Sequence, residues 1–135
     1  MGDIILRFLS QEDVLALNLD IDSVLSATEK AVGEHGRGAY EMPPKPGIHP
    51  LPGTFIHAMP AYLSGLKVAG MKWVSGFPEN APKGLPTIVG LLVLNDPQTG
   101  FPFCLMDATW VTTVRTAAVS TLAARYLLPE NSRLL

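Results

Sequence analysis

Charge is what this sequence has least of. Of its 135 residues only 16% are Asp, Glu, Lys or Arg, against 47% hydrophobic, where a soluble domain ordinarily carries about 25% charged residues. Two explanations fit that deficit. Either part of the surface is covered by a partner chain or a further domain, or this is simply an apolar domain; long apolar segments favour the first. Lys and Arg number 10 and Asp and Glu 12, for a formal net charge of −2. The arginines are dispersed, so no basic footprint for nucleic acid exists. Cysteine is nearly absent: Cys104 stands alone and cannot close an internal disulfide. Within the apolar stretch 101–106 it reads as a buried, inert thiol, in keeping with a reducing compartment. No charged segment followed by an apolar core opens the chain. The longest apolar run, 88–94, is far short of the roughly 20 residues a bilayer requires. The expectation is a cytoplasmic protein without membrane contact. Also missing is any GxGxxG or GxxxxGK phosphate loop. His35, His49 and His57 lack close-spaced ligand partners, so no metal site is expected.

What is present is patterned. Residues 4–8 read as a short strand, and Ser10-Gln11-Glu12-Asp13 has capping-box spacing ahead of a helix over 11–17. Val24, Ala27, Ala31 and Val32 recur at helical spacing over 21–35, where Gly33, Gly36 and Gly38 begin to end the helix. Pro43, Pro44, Pro46, Pro50 and Pro52 then rule out helix and argue against a central strand. This is either a plain surface loop or a rigid one that presents a side chain to a site. Strands are predicted over 55–59, 69–74, 87–94 and 101–106, the last two joined by a turn over 95–100 containing Pro97 and Gly100. The run 88–94 does not alternate, which predicts burial on both faces. A final helix is expected over 109–128, with Ala117, Ala118, Ala123 and Ala124 allowing close approach of a neighbour.

Two cations stand out. Lys72 shares a strand face with Val74 by period-two alternation. An inward lysine needs an anionic partner or a solvent-filled cleft; otherwise Lys72 caps a sheet edge and reaches water along its stem. Arg115 lies early in the final helix among Thr112, Thr113 and Thr116. It suits a carboxylate or phosphate, or equally a solvated face or an ion pair with an acid such as Asp107. His57 and Lys45 are weaker candidates: a core histidine and a loop-solubilising lysine explain them as well. Asp96 and Asp107 read as turn and helix-start residues.

The phrases Met59-Pro60-Ala61-Tyr62, Lys72-Trp73-Val74, Gly84-Leu85-Pro86-Thr87, Leu94-Asn95-Asp96, Met106-Asp107-Ala108-Thr109 and Arg115-Thr116-Ala117-Ala118 occur in order. In that order and separation the chain resembles the ornithine cyclodeaminase/mu-crystallin family, strongly after Met59 and weakly before Met42. The resemblance implies an α+β fold, an antiparallel or mixed sheet with flanking helices. It implies a substrate-binding and dimerisation domain over 1–130 and a linker over 131–135 into a dinucleotide-binding Rossmann domain that this sequence lacks. The implied partners are a small amino acid or cyclic imine and a second copy of the chain. The implied cofactor is NAD(H) or NADP(H) in the full-length protein, and none for these residues alone.

By position, Lys72 looks like the family's catalytic lysine, beside the substrate carboxylate and the reacting carbon. Arg115 resembles the arginine that clamps that carboxylate. Lys45 occupies the place of a further carboxylate binder, commonly an arginine, and keeps the charge without the planar fork. Thr87 matches a threonine near the nicotinamide. His57 departs from the pattern. In ornithine cyclodeaminases the residue two before Met-Pro is a glutamate that receives the substrate's distal amine, and a histidine supplies no fixed negative charge. The resemblance therefore points to the wider amino-acid dehydrogenases and ketimine reductases, with His57 among the substrate-binding residues. The function implied is the substrate-binding part of an NAD(P)-dependent amino-acid or imine oxidoreductase or cyclodeaminase. The alternative is a non-catalytic ligand-binding or dimeric scaffold that retains only this domain.

Overall fold

In the computed structural model, residues 5–129 and Ser132 are described. Strand β1 (Arg7–Leu9) leads into helix α1 (Gln11–Ala16) and helix α2 (Ile21–Gly36). The proline-rich loop carries two two-residue strands, β2 (Tyr40–Glu41) and β3 (Gly47–Ile48). Four long strands follow: β4 (Phe55–Leu63), β5 (Val68–Gly76), β6 (Ile88–Asn95) and β7 (Pro102–Asp107). Helix α3 (Thr109–Leu127) closes the fold. The sheet runs β1-β7-β6-β5-β4-β2, with β3 also paired to β4. Only the β1–β7 pair is parallel, so the sheet is mixed and the fold is α+β.

Local chemistry explains most boundaries. Ser10 Oγ accepts from the Asp13 N–H at 3.1 Å while the Asp13 carboxylate accepts from the Ser10 N–H at 2.8 Å. This reciprocal cap starts α1 where the spacing predicted. In the β6–β7 turn Asp96 accepts from the Gln98 N–H and the Thr99 hydroxyl, both at 2.8 Å, and Gly100 takes φ 75°. Asp107 accepts from the Thr109 N–H at 2.8 Å and the Thr109 hydroxyl at 3.1 Å. Its carboxylate is thus engaged at the start of α3. The strand predicted over 55–59 continues through Pro60 to Leu63. The Ala58 N–H points away from β5, donating to the Pro46 carbonyl. By alternation the Pro60 nitrogen points the same way, into the gap between the β3 pairing at His57 and the β2 pairing at Tyr62. No ladder bond is lost there, so proline is tolerated. The expected linker over 131–135 falls outside the described residues except for Ser132, as does residue 4 of the first predicted strand.

Register divides the sheet into two unlike faces. Cross-strand partners His57↔Val74↔Gly90, Met59↔Lys72↔Leu92↔Met106 and Leu94↔Cys104 lie on one face. The helices pack on this inner side, where Val74 and Cys104 are buried. Leu25 of α2 meets Ala118 and Leu122 of α3 in the helical layer above it. Ala117, Ala123 and Ala124 remain exposed, so of the four small residues only Ala118 is used for close packing within this chain. The other face carries Ile48, Ile56, Trp73, Leu91 and Phe103, and no element of the described chain covers it. Leu91 is 47% exposed and Trp73 43%. The expectation that both faces of 88–94 are buried therefore fails for this chain. The run is apolar on both sides, but α3 shields only one. No described helix is long and apolar enough to cross a membrane.

One buried carboxylate ties helix to sheet. The Glu34 carboxylate, in the last turn of α2 and 6% exposed, accepts from the Gly65 N–H at 2.9 Å and from the Arg37 guanidinium at 2.5 Å. Gly65 lies in the β4–β5 turn, and a Cβ there would stand 2.1 Å from Glu34 Oε2. Only glycine lets the carboxylate approach. Glu34→Ala strands a buried N–H, and Gly65→Ala expels the carboxylate; each is expected to lower unfolding free energy by about 1.5–3 kcal/mol. Arg37→Ala, at an exposed guanidinium, is expected to cost under about 1 kcal/mol. Urea unfolding midpoints of the three variants check that ranking.

Candidate functional site

Lys72 projects from β5, flanked on the inner face by Met59 of β4 and Leu92 of β6. Because β5 lies between two long strands, the edge-capping explanation is excluded. The side chain is half-buried beneath the helical layer. Its pKa is lowered from the ordinary 10.5, first by burial, then by the charges of Arg115 and Lys45. The fold thus gathers three cations that are separated by dozens of residues in sequence. Among the described residues the one ion pair is Arg37–Glu34, so none of these three is ion-paired; Glu41 lines the same hollow as Arg115 without forming a salt bridge to it.

Arg115 shares a helical stripe with Ala118 and Leu122, three and seven residues further on. Those two are buried against α2, and Arg115 emerges one turn earlier, where the packed layer ends. It borders a hollow of about 540 Å³ whose walls are mostly apolar, among them Ala27, Ala31, Leu63 and Val119. The alternative pairing with Asp107 does not occur, since that carboxylate caps Thr109. Lys45 lies exposed in the loop between β2 and β3, close enough for its charge to act on both Lys72 and His57. The rigid-loop reading of the proline segment fits this placement.

His57 occupies a seat built from glycine. Its imidazole lies over Gly47 of β3, where a Cβ would come within 2.2 Å of Cδ2. It stacks on Phe55 with centroids 4.4 Å apart and planes 20° from parallel. Phe55 in turn lies over Gly76 of β5, again leaving no room for a Cβ. His49 meets His57 edge-on, centroids 6.0 Å apart at 78°. The His57 pKa is lowered by burial, then by Lys45 and His49. Phe55 and His49 were not singled out from sequence as site residues. Gly47 and Gly76 were the only hint, and their role depends on a register that crosses an irregular loop. Thr87 does not join the cluster. It precedes β6 and its carbonyl accepts from the Phe77 N–H at 2.8 Å. It is five residues from Leu92, the cross-strand neighbour of Lys72, or roughly 15 Å along a strand.

A sequence profile of the Ornithine cyclodeaminase/mu-crystallin family matches residues 7–135. The chain belongs to that family. It is 50% identical over 127 residues to the nodulation efficiency protein NfeD of Rhizobium meliloti, covering 94% of this chain and 40% of that protein. Among solved structures, an archaeal alanine dehydrogenase dimer with bound NAD superposes with a TM-score of 0.86 at 42% identity, over 94% of this chain and 38% of that one. The Thermococcus litoralis Δ1-pyrroline-2-carboxylate reductase, in complex with NADH and L-proline, gives 0.87 at 36% identity, over 93% and 39%. The chain thus spans about two-fifths of the length of the relatives it matches.

The folded state holds the Lys72 proton less tightly than the unfolded chain does. Stability from this group is therefore lowest at low pH and rises as pH climbs from the lowered folded pKa toward 10.5. By NMR, Lys72 Nζ is expected to titrate below the ordinary lysine value and to move upward in Arg115→Gln. An unmoved titration would show that Arg115 does not act on Lys72.

Proposed function

We propose that the full-length protein is an NAD(P)-dependent oxidoreductase or cyclodeaminase acting on a small carboxylate-bearing amine or imine, and that this chain supplies its substrate grip. The observation that carries this reading is the grouping of Lys72, Arg115 and Lys45 around the inner face of β5. Three cations with no salt-bridge partner among the described residues are suited to an anionic ligand. Arg115 offers a planar fork for a carboxylate, and Lys45 adds a second charge from the loop. Lys72, with its lowered pKa, has an increased neutral fraction that can take a proton from the substrate's α-ammonium nitrogen or return one. His57 is assigned to the substrate side chain. It lacks the fixed negative charge that a distal amine would require, which argues against ornithine.

A dinucleotide does not fit these residues alone. The chain has no glycine-rich phosphate loop, and of the residues here only Thr87 is assigned to the cofactor's side. The nicotinamide, when bound, supplies hydride transfer at the carbon bearing nitrogen. Residues 1–130 are proposed as the substrate-binding and dimerisation domain and 131–135 as the linker to the cofactor domain, supported by the two-fifths coverage of the relatives.

The partner proposed for the bare sheet face is a second copy of the chain. Ile48, Trp73, Leu91 and Phe103 are all exposed on this one face, in keeping with the low overall charge. The dimeric state of the alanine dehydrogenase supports it.

In the full-length protein Lys72→Ala is expected to lower kcat/KM by about 10²–10⁴-fold with little change in thermal midpoint. Arg115→Lys is expected to raise KM about tenfold or more. Wild-type kinetics in both variants would leave a binding module rather than this mechanism. Leu91→Lys, which places a charge on the bare face, is expected to shift the sedimentation mass from dimer to monomer.

A further inference from the structure

The cationic site is longer than one carboxylate requires. Beyond Arg115 and Lys72 comes Lys45, two residues before Gly47, the cross-strand partner of His57, and its charge acts on both Lys72 and His57. We propose that Lys45, His49 and His57 form a second anion subsite, which receives the side-chain carboxylate of a dicarboxylic amine or imine. This rests on the proposed function and specifies its substrate class.

The subsite is built rather than incidental. The His57 imidazole stacks on the Phe55 ring and lies over Gly47, two contacts that restrict its rotation. His49 is held at the start of a stiff loop. Thr54, 5% exposed, accepts from the Leu51 N–H at 2.9 Å and donates to the Leu51 carbonyl at 2.8 Å through the same hydroxyl. Pro50 and Pro52 restrict the segment between, and Gly53 takes φ 74°. His49, His57 and Phe55 line a hollow of about 540 Å³ with the 50–54 loop, no Asp or Glu contributes to its wall, and Lys45 stands outside it on the adjoining loop.

Spacing supports a single ligand that reaches both ends. His57 pairs with Val74, two residues from Lys72, so His57 and Lys72 are diagonal neighbours about 7–8 Å apart. A four- or five-carbon dicarboxylate spans most of that distance. Even neutral, each imidazole offers one N–H donor, and Lys45 supplies the formal charge. A distal ammonium would meet like charge. A purely apolar side chain would leave these donors without a partner, a penalty that discriminates strongly between ligands.

The test uses the full-length protein and three probes: glutarate, butyrate and 1,4-diaminobutane, by calorimetry and by NMR of the histidine Cε1–H groups. Glutarate is expected to bind at least tenfold tighter than butyrate and to shift the His49 and His57 resonances, which butyrate leaves in place. The diamine is expected not to compete. In His49→Gln/His57→Gln the glutarate advantage should disappear while butyrate binding, through Arg115 and Lys72, persists. Equal affinity for glutarate and butyrate in the wild-type protein would overturn the second subsite and leave the proposed function standing. Tighter binding of the diamine would overturn it as well. If neither acid binds, both the subsite and the carboxylate grip fall.

Discussion

Lys72 on the inner face of a central strand is the constraint around which the remaining site is arranged. The β4–β5–β6 register places Met59 and Leu92 beside it and Val74 next along the same face, so its stem is surrounded by apolar groups. An ammonium there loses hydration, and the nearest strong charges, Arg115 and Lys45, have the same sign. Folding alone gives this group no compensation. The chain keeps three mutually repelling cations because stability is supplied elsewhere: by the Ser10–Asp13 capping box, by Glu34 holding the β4–β5 turn, and by the α2–α3 contact of Leu25 with Ala118 and Leu122. Local destabilisation at a site, offset by ordinary packing around it, is the expected signature of a group reserved for a ligand.

The two sheet faces divide the labour. Helices occupy the inner side and form a rim from which Arg115 emerges. The outer side is left apolar, with Trp73 and Leu91 partly exposed. Since Trp73 and Lys72 are adjacent on β5, a contact on the outer face would bear directly on the strand that holds the lysine. The same strand also connects to the far subsite through Gly76, on which the Phe55 ring rests.

Family membership and site chemistry agree in kind. Two solved relatives carry NAD or NADH, and the cations of this chain suit the carboxylate of the ligand proposed above. The glycine-floored seat of His57 shows that the imidazole is accommodated by the surrounding backbone, not merely tolerated at the surface.

Much of the fold was legible because it is written locally. Ser10 and Asp13 define a cap by spacing, Asn95 to Gly100 define a turn by dihedral preference, and Pro129 follows the end of α3. Lys72 was legible as an inward residue through alternation with Val74. The sequence could not decide which strand would be central, whether Asp107 would pair with Arg115 or cap Thr109, or which face of β6 would remain bare. Those outcomes depend on strand order and register, which bring together residues far apart in the chain. The His49–His57–Phe55 group was hidden for the same reason: its seats, Gly47 and Gly76, lie on two other strands. By itself the sequence determined the helices and the four long strands, the family and the residue types that carry charge, but not the short strands β2 and β3. Only the tertiary structure decided which of those charges meet, because electrostatic and packing energies depend on distance in space and not on separation along the chain.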